Sequence, residues 1–457
     1  MPHAHIVSDF ALLAETPYDL DGLWKAKAYD EIASLYSGLT KRIAAAPIAD
    51  RPHLLSELTP RAKGAAGTIS KLLCGLIVAR LICTQEDGWI MHRGKLAEPT
   101  ETTLERLADL KRTLSDSAAS ALFVTALHQF WSGNRVDGFA AFRALGDNPD
   151  FKALVRDDLR GATTCHPEAL AETGAALPGP PALEFIASCS NSASAIALAT
   201  FDDIYFKAFA RKLLETANAA GDAKLHFHIV NPSAESFKLA RELVALGKSR
   251  KSSVGISYEH VQIKDRATLA CARFLIMEAL LRHYGRGLLV TDADLFYRRP
   301  FGDLMQVLDP SRIALAIQSD PRGGGYLPWR AVSAGYLFVP YTEAGVLFSQ
   351  RVANAIHRSW QEGSNWWIDQ TALYCAFNQF GEEFGETDIV MLPSDIHIAL
   401  PTSEAYKIEK ISEVPEVNAA MASGLHWNAA LHAVQTGPQA NADGAQSLGA
   451  KLLRSAA

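Results

Sequence analysis

Two aspartates separated by one small residue, Asp292 and Asp294, close the apolar run in the stretch GLLVTDADLFYRRP, residues 287–300. Leu288, Leu289 and Val290 predict a short buried strand of a parallel sheet. In an extended chain, side chains two apart share a face, so both carboxylates aim at one point. Like charges that close repel unless a cation lies between them. An all-oxygen pair suits a hard divalent ion, Mn²⁺ or Mg²⁺, which can also hold a diphosphate. Open α/β sheets bind ligands beyond the carboxyl ends of their strands, which is where these acids fall. The competing reading is a solvated loop with two surface acids, or an Asp that caps the next turn.

Four further pieces carry polar groups in apolar settings. A helix is expected from about 266 to 284, with Asp265 as N-cap and Gly285 as its stop. Between Ala267 and Leu281 only Arg273 and Glu278 are charged, and Leu269 and Met277 flank Arg273 at four-residue spacing. A guanidinium in an apolar stripe needs an anion, either an internal acid or a ligand. In SAGYLFVP, 333–340, Gly335 permits close backbone approach. In NWWIDQTALYCAF, Asp369 and Gln370 stand at the start of an apolar helix, where an Asp is also a natural N-cap. In GLHWNAA, His426 could be structural, or could add a neutral imidazole to a metal site begun by two carboxylates.

The elements that must position these groups change character along the chain. Residues 1–175 are rich in Ala, Leu, Arg and Glu with apolar residues every three or four positions, which predicts helices throughout. The piece ALHQFWSGNRVDGFAAFRAL resembles a tetratricopeptide-like helical hairpin, without a second copy at a fixed period. The segment ETGAALPGPPA, 172–182, cannot be a regular helix and marks a domain boundary. Beyond it, LEFIASCS, KLHFHIVN and VGISYEHV read as strands alternating with helices (FDDIYFKAFARKLLETA, then SAESFKLARELVAL), and IALAIQ and AGYLFVP as two later strands. Such alternation implies a parallel sheet with right-handed crossovers. Between the last two strands, SDPRGGGYLPW carries Gly323, Gly324 and Gly325, a weak phosphate-loop signal without a P-loop lysine.

With 457 residues, 48% hydrophobic and 21% charged, the chain has material for two domains. A net charge of -6 leaves no basic footprint, which argues against a nucleic-acid partner. The six cysteines are scattered, with no zinc-ligand spacing, and fit a reducing cytoplasm. The start MPHAHIVSDF lacks the features of a signal peptide, and SKLLCGLIVARLICTQ is interrupted by Arg80 too early to span a bilayer. That apolar segment reads as a buried helix, and no transmembrane segment is expected.

The strand ending in Asp292-Ala-Asp294, followed in order by Gly335, the Trp366-Trp367-x-Asp369-Gln370 group and His426, resembles the GT-A glycosyltransferases. The retaining, galactosyltransferase-like branch is the nearest match. The resemblance covers somewhat over half the chain. It implies an α/β GT-A catalytic domain, with a Rossmann-like and mostly parallel sheet, at 181–435, behind an all-α domain at 1–175 and before a loosely ordered tail at 436–457. It also implies a metal-dependent hexosyltransferase, retaining in outcome, that moves a sugar from a nucleotide donor, UDP-linked by expectation, to an acceptor hydroxyl. The acceptor is unknown, with a protein (held by the helical domain) or a surface polysaccharide as the expected kinds. In that family Mn²⁺ (or Mg²⁺) would be held by Asp292, Asp294 and His426. Donor contacts would come from Ser188, Ser190, Tyr205, Arg273, Asp292 and Gly335, with Asp202 and Asp203 as further candidates near the uridine. Asp369 would bond sugar hydroxyls, Gln370 would lie near the anomeric carbon, and Trp366 and Trp367 would offer a sugar platform.

Two departures from the family pattern are visible. Ser333 stands where an Asn is usual, and no Lys follows His426 to hold the diphosphate, leaving His432 or Lys407 as substitutes. They favour a rival reading, a scaffold that keeps a donor-binding fold without catalysis. A second rival is a haloacid-dehalogenase-like phosphatase, whose DxD begins with a nucleophilic Asp. There a Thr or Val normally follows the second acid, where this chain has Leu295.

Overall fold

The computed structural model describes residues 2–15, 32, 34, 36, 38–40, 42–43, 46–65, 67–83, 101–114, 118–148, 159, 161–170, 181–190, 195–220, 224–249, 252–262, 266–293, 305, 308–317, 332–363 and 367–391. Among these, helices come first: α1 (Pro2–Glu15), α2 (Arg51–Gly64), α3 (Thr68–Cys83), α4 (Glu101–Thr113), α5 (Ala118–Trp131) and α6 (Arg135–Gly146) precede the strands. The apolar segment around Arg80 is the buried helix α3, 16 residues long. Among the described residues no helix is long and apolar enough to cross a membrane. The expected hairpin is formed by α5 and α6, which turn at Gly133 with φ +90°. A Cβ on Gly138 would lie 2.9 Å from the Phe130 backbone nitrogen, so glycine is what lets the two helices touch.

The second half runs β1 (Glu184–Ala187), β2 (Ala195–Asp202), α7 (Asp203–Ala220), β3 (Lys224–Val230), α8 (Ala234–Ser249), β4 (Ser253–Glu259), α9 (Arg266–Leu275), α10 (Met277–Tyr284), β5 (Gly287–Thr291), β6 (Ile313–Ile317), β7 (Val332–Val339), α11 (Glu343–Glu362), α12 (Ile368–Phe384) and β8 (Thr387–Met391). Eight strands form one sheet in the order β1-β4-β3-β2-β5-β7-β6-β8. Strands β2 to β5 are mutually parallel, β1 lies antiparallel on the β4 edge, and β7 is antiparallel to both β5 and β6. The chain adds β3 and β4 on one side of β2, then returns to place β5 on the other. The β2/β5 junction is therefore the topological switch point of a mixed α/β sheet, where open sheets form a crevice.

Two expectations are corrected here. The segment 183–190 is not the first strand of the parallel set but a short antiparallel edge strand, and the central strand is β2, in the Ala-rich stretch 195–202. Its alternation explains why alanine suits a strand at this position. Ala195, Ala197 and Ala199 face the cluster of Phe206, Phe209 and Leu213 from α7, while Ile196 and Leu198 face the opposite core. The helix expected over 266–284 is broken at Ile276 into α9 and α10. It ends as expected at Gly285, left-handed at φ 60°, whose N–H bonds Leu281. The strand β8 carried no clear signal.

One continuous apolar cluster runs from Ile6 on α1 to Phe380 on α12 and takes in one face of the sheet. The other face packs on α7 and α8. The helical half and the sheet thus share a core. The linker expected at 172–182 and the tail at 436–457 lie mostly or wholly outside the described residues.

A row of fully buried polar side chains crosses β3 and β4 on the helical side. Tyr284 Oη is 2.7 Å from His226 Nδ1, His226 Nε2 is 2.8 Å from Ser257 Oγ, Ser257 Oγ is 2.9 Å from His228 Nδ1, and His228 Nε2 is 3.2 Å from Glu259 Oε1. Each link needs one donor and one acceptor, so the hydroxyls and imidazoles of the row must share their protons in one consistent direction. Tyr284 Oη in turn accepts the Cys189 N–H at 3.3 Å. Burial, with His228 and His283 adding to it, holds the His226 imidazole well below its ordinary 6.5. Because the folded value is depressed, stability is complete above the unfolded value and falls as pH drops through it. We expect up to about 1.4 kcal/mol lost per pH unit below 6.5. Urea unfolding between pH 7.5 and 5.5 measures this, and His226→Gln should flatten the slope while lowering stability at neutral pH.

Candidate active site at the switch point

The site begins with the guanidinium of Arg273, on α9 among apolar neighbours and 8% exposed. Its Nη1 lies 2.6 Å from Asp292 Oδ1, and its Nη2 lies 3.3 Å from Asp369 Oδ2. One planar fork therefore joins the acid just past β5 to the acid in the first turn of α12, two segments far apart in sequence. The ring of Phe274 packs against the guanidinium, 4.7 Å from its carbon. Its burial is satisfied by anions, as the sequence required.

Asp292 is also fixed from below. A Cβ on Gly335 of β7 would lie 2.8 Å from Asp292 Oδ2 and 3.5 Å from Ser333 Oγ. Glycine at this position makes room for the carboxylate. Asp369 Oδ1 accepts the N–H of Gln370 at 2.9 Å, so the acid serves its own helix start and the arginine together. Gln370 Oε1 is buried with no hydrogen-bond partner among the described residues, an acceptor that a ligand hydroxyl would satisfy. The helix begins at Trp367, held left-handed at φ 78°. Arg273, Asp292, Gly335, Asp369 and Gln370, named from four separate motifs, thus converge.

The neighbouring strand end carries Asp202 and Tyr205, two more of the residues expected near a donor. Asp202 ends β2 and accepts the Tyr205 N–H at 2.6 Å, capping α7 and holding Tyr205 in its first turn. Burial pushes the Asp202 carboxyl up, against the Tyr205 and Ile204 amides that lower it. Tyr205 packs its ring 5.3 Å from that of Phe209. Asp203 has a structural role. It accepts Ser233 N at 2.6 Å and Ser236 Oγ at 2.6 Å, and pairs with Lys207 Nζ at 2.8 Å, tying α7 to α8. Burial would raise its carboxyl, but the bonds from Lys207, Ser236 and Ser233 outweigh it and bring it down to about 2.

Asn231, just past β3, was not foreseen. At φ 53° it reaches across to β4 and beyond, donating Nδ2 to Val261 O at 2.8 Å and accepting the Val261 N–H at 2.8 Å. Its side chain extends the ladder at the mouth of the sheet. The Asn-Pro dipeptide at the strand end was the available signal.

Ser188 and Ser190 are not brought to this end. Ser188 Oγ meets His283 Nε2 at 2.9 Å, and the Ser190 N–H meets the side chain of Ser253, the first residue of β4. That is the amino end of the parallel strands, opposite Asp292, because β1 runs antiparallel to its neighbour. Asp294, His426, Trp366, Lys407, His432 and the glycines 323–325 lie outside the described residues. Among the described residues there is no group of three or more His, Cys, Asp or Glu placed to hold a metal ion. Of the expected ligands only Asp292 is described, an oxygen donor at a strand end whose chemistry fits a hard divalent cation.

No family model matches the chain, and no curated protein matches it. Among solved structures, the apo form of WbbM, a bifunctional glycosyltransferase, is similar at 16% identity over 44% of this chain and 39% of that one, with a TM-score of 0.32. The apo form of mouse xyloside xylosyltransferase 1 is similar at 13% identity over 43% of this chain and 84% of that one, with a TM-score of 0.28. This chain spans well under half the length of the WbbM chain.

Proposed function

We propose that this chain is a GT-A-type glycosyltransferase that moves a sugar from a nucleotide donor, UDP-linked, to an acceptor hydroxyl. The observation that carries the reading is the Arg273 fork joining Asp292 and Asp369 beside the β2/β5 switch point. A sheet of this topology presents its crevice there. Tyr205 and Asp202 at the end of β2 would face the base, and Asp369 with the unsatisfied Gln370 acceptor would meet sugar hydroxyls. Asp292, Asp294 and His426 would hold Mn²⁺ or Mg²⁺, which supplies positive charge to the leaving diphosphate when bound. Retention of configuration and a protein or polysaccharide acceptor belong to the same proposal. A phosphatase that uses Asp292 as nucleophile fits less well, because a carboxylate bound at 2.6 Å to a guanidinium is a weak one.

A thermal-shift series of nucleotide sugars with and without Mn²⁺ tests the reading. A ligand bound by the folded state alone stabilises it by about 2.7 kcal/mol at one hundred times its Kd. We expect a UDP-sugar to raise Tm by about 2 °C or more only when Mn²⁺ is present. If no nucleotide sugar shifts the transition in either condition, the donor-binding reading is lost.

A further inference from the structure

Gly161 lies far from α12 in sequence, at the head of the short turn Ala162–Thr164, with φ +81°. A Cβ on it would lie 2.5 Å from the Trp367 carbonyl oxygen, 2.8 Å from that carbonyl carbon and 2.5 Å from Thr371 Oγ1. These atoms are the first turn of α12. Two of the three are main-chain atoms, which cannot swing aside as a side chain does.

The turn that Gly161 touches is itself unusual. Trp367 is left-handed at φ 78°, a conformation that a bulky L-residue holds only when its surroundings over-determine it. The Trp367 carbonyl that abuts Gly161 is also the acceptor for the Thr371 N–H at 3.0 Å and Thr371 Oγ1 at 3.0 Å. Asp369, two residues on, meets Arg273, and Gln370 follows it. A shift of that carbonyl therefore moves the base of the helix from which both side chains project.

The helical half holds α12 at other points. Cys165 Sγ is 4.0 Å from Cys375 Sγ, the Phe130 ring is 5.8 Å from that of Tyr374, and Arg135 Nη1 is 2.8 Å from Glu382 Oε1. These contacts run along the helix, whereas Gly161 meets its first turn.

We propose that Gly161 is a positioning residue of the active site: the N-terminal half clamps the left-handed Trp367 turn and so sets where Asp369 and Gln370 stand. The proposal rests on the reading of those two residues as donor contacts. It assigns the helical half an inward role on the site, beside the expected role of holding an acceptor. A residue that only fills core would change stability and leave turnover per folded molecule untouched.

The test uses the full chain as wild type, Gly161→Ala, Trp367→Gly and the double variant, with Mn²⁺ and UDP-sugar donors. In Gly161→Ala, amide exchange at 370–372 should rise by about tenfold while the β2 to β4 amides stay unchanged. Turnover should fall by about tenfold or more with KM for the donor within about threefold of wild type, since positioning acts on the reacting geometry. Trp367→Gly relieves the left-handed strain with Gly161 intact; because its ring is itself an expected sugar contact, it is read by exchange at 370–372, which should rise about tenfold, and it decides the matter if Gly161→Ala does not accumulate folded. The double variant should regain stability without regaining turnover. Unchanged exchange at 370–372 in Gly161→Ala or in Trp367→Gly, or joint recovery of stability and turnover in the double variant, would each overturn the proposal. Should the wild type turn over no nucleotide sugar, the functional reading fails separately, and the exchange pattern alone decides whether Gly161 sets the turn.

Discussion

Replacing Arg273 by Met should cost the fold about 3 kcal/mol at neutral pH and abolish sugar transfer. The Arg273 side chain is 10% exposed and lies between Asp292 and Asp369, whose side chains are 17% and 11% exposed. Removing the shared cation leaves two mostly buried carboxylates facing one vacated volume, the costly half of breaking a buried ion pair. Methionine fills much of that volume, so the loss reports charge rather than a cavity. The sign of the pH dependence separates the two. Without Arg273, protonating either acid relieves a buried charge that the guanidinium otherwise balances, so the penalty is largest at high pH and shrinks as pH falls. The gap between variant and wild type in urea midpoints should therefore narrow from pH 7.5 to 5.5, and the His226 contribution cancels because it is common to both. A gap that is constant with pH would show that Arg273 acts by packing. Arg273→Lys keeps the charge, but one ammonium cannot span two acids in a planar fork. That variant should keep most of its stability and lose most of its turnover.

Much of this arrangement is legible in the sequence. An apolar run ending in paired acids, a lone arginine in an apolar helix, a glycine in a strand and an Asp-Gln at a helix start are each local patterns with a physical cause. Arg273 was readable because charge in an apolar stripe demands a partner; which partner was not, because Asp292 and Asp369 meet it through the fold alone. The strand β2 was missed because Ala195, Ala197 and Ala199 weaken the apolar contrast that marks a strand, although small residues are what α7 requires on that face. Because β1 runs antiparallel on the β4 edge, Ser188 and Ser190 fall at the opposite end of the sheet from Asp292. The break at Ile276 has no Pro or Gly to announce it. Gly161 was invisible for a deeper reason: nothing in Gly-Ala-Thr-Thr-Cys indicates that a carbonyl more than two hundred residues away will press against it. The shared core between the helical half and the sheet is likewise a property of the packed chain, not of either segment's composition.

Substituting Asp294 by Asn should leave the fold intact and remove Mn²⁺-dependent donor binding, whereas Asp292→Asn should damage both. The difference follows from what already engages Asp292. Its carboxylate is bound at 2.6 Å by Arg273 and seated over Gly335, so part of its charge is spent on the scaffold. A cation approaching the pair then depends on the second acid for most of its attraction, and the diphosphate it would carry adds negative charge that only the metal offsets. Asn keeps the shape of Asp and removes the charge. For Asp294→Asn we expect a metal-free Tm within about 2 °C of wild type and Mn²⁺ affinity, measured by calorimetry with UDP present, lower by about a hundredfold, a change of about 2.7 kcal/mol. Asp292→Asn takes one anion from a buried guanidinium and should lower the metal-free Tm by several degrees, about 2 kcal/mol in stability, as well as weakening the metal. Gly335→Ala offers an independent route to the same carboxylate, because its Cβ would displace Asp292 Oδ2 without altering any charge. It should weaken Mn²⁺ binding in the presence of UDP by about tenfold. Equal Mn²⁺ affinity in wild type and Asp294→Asn would sink the metal-site reading, while the Arg273 fork and its two acids would still stand as the frame of the site.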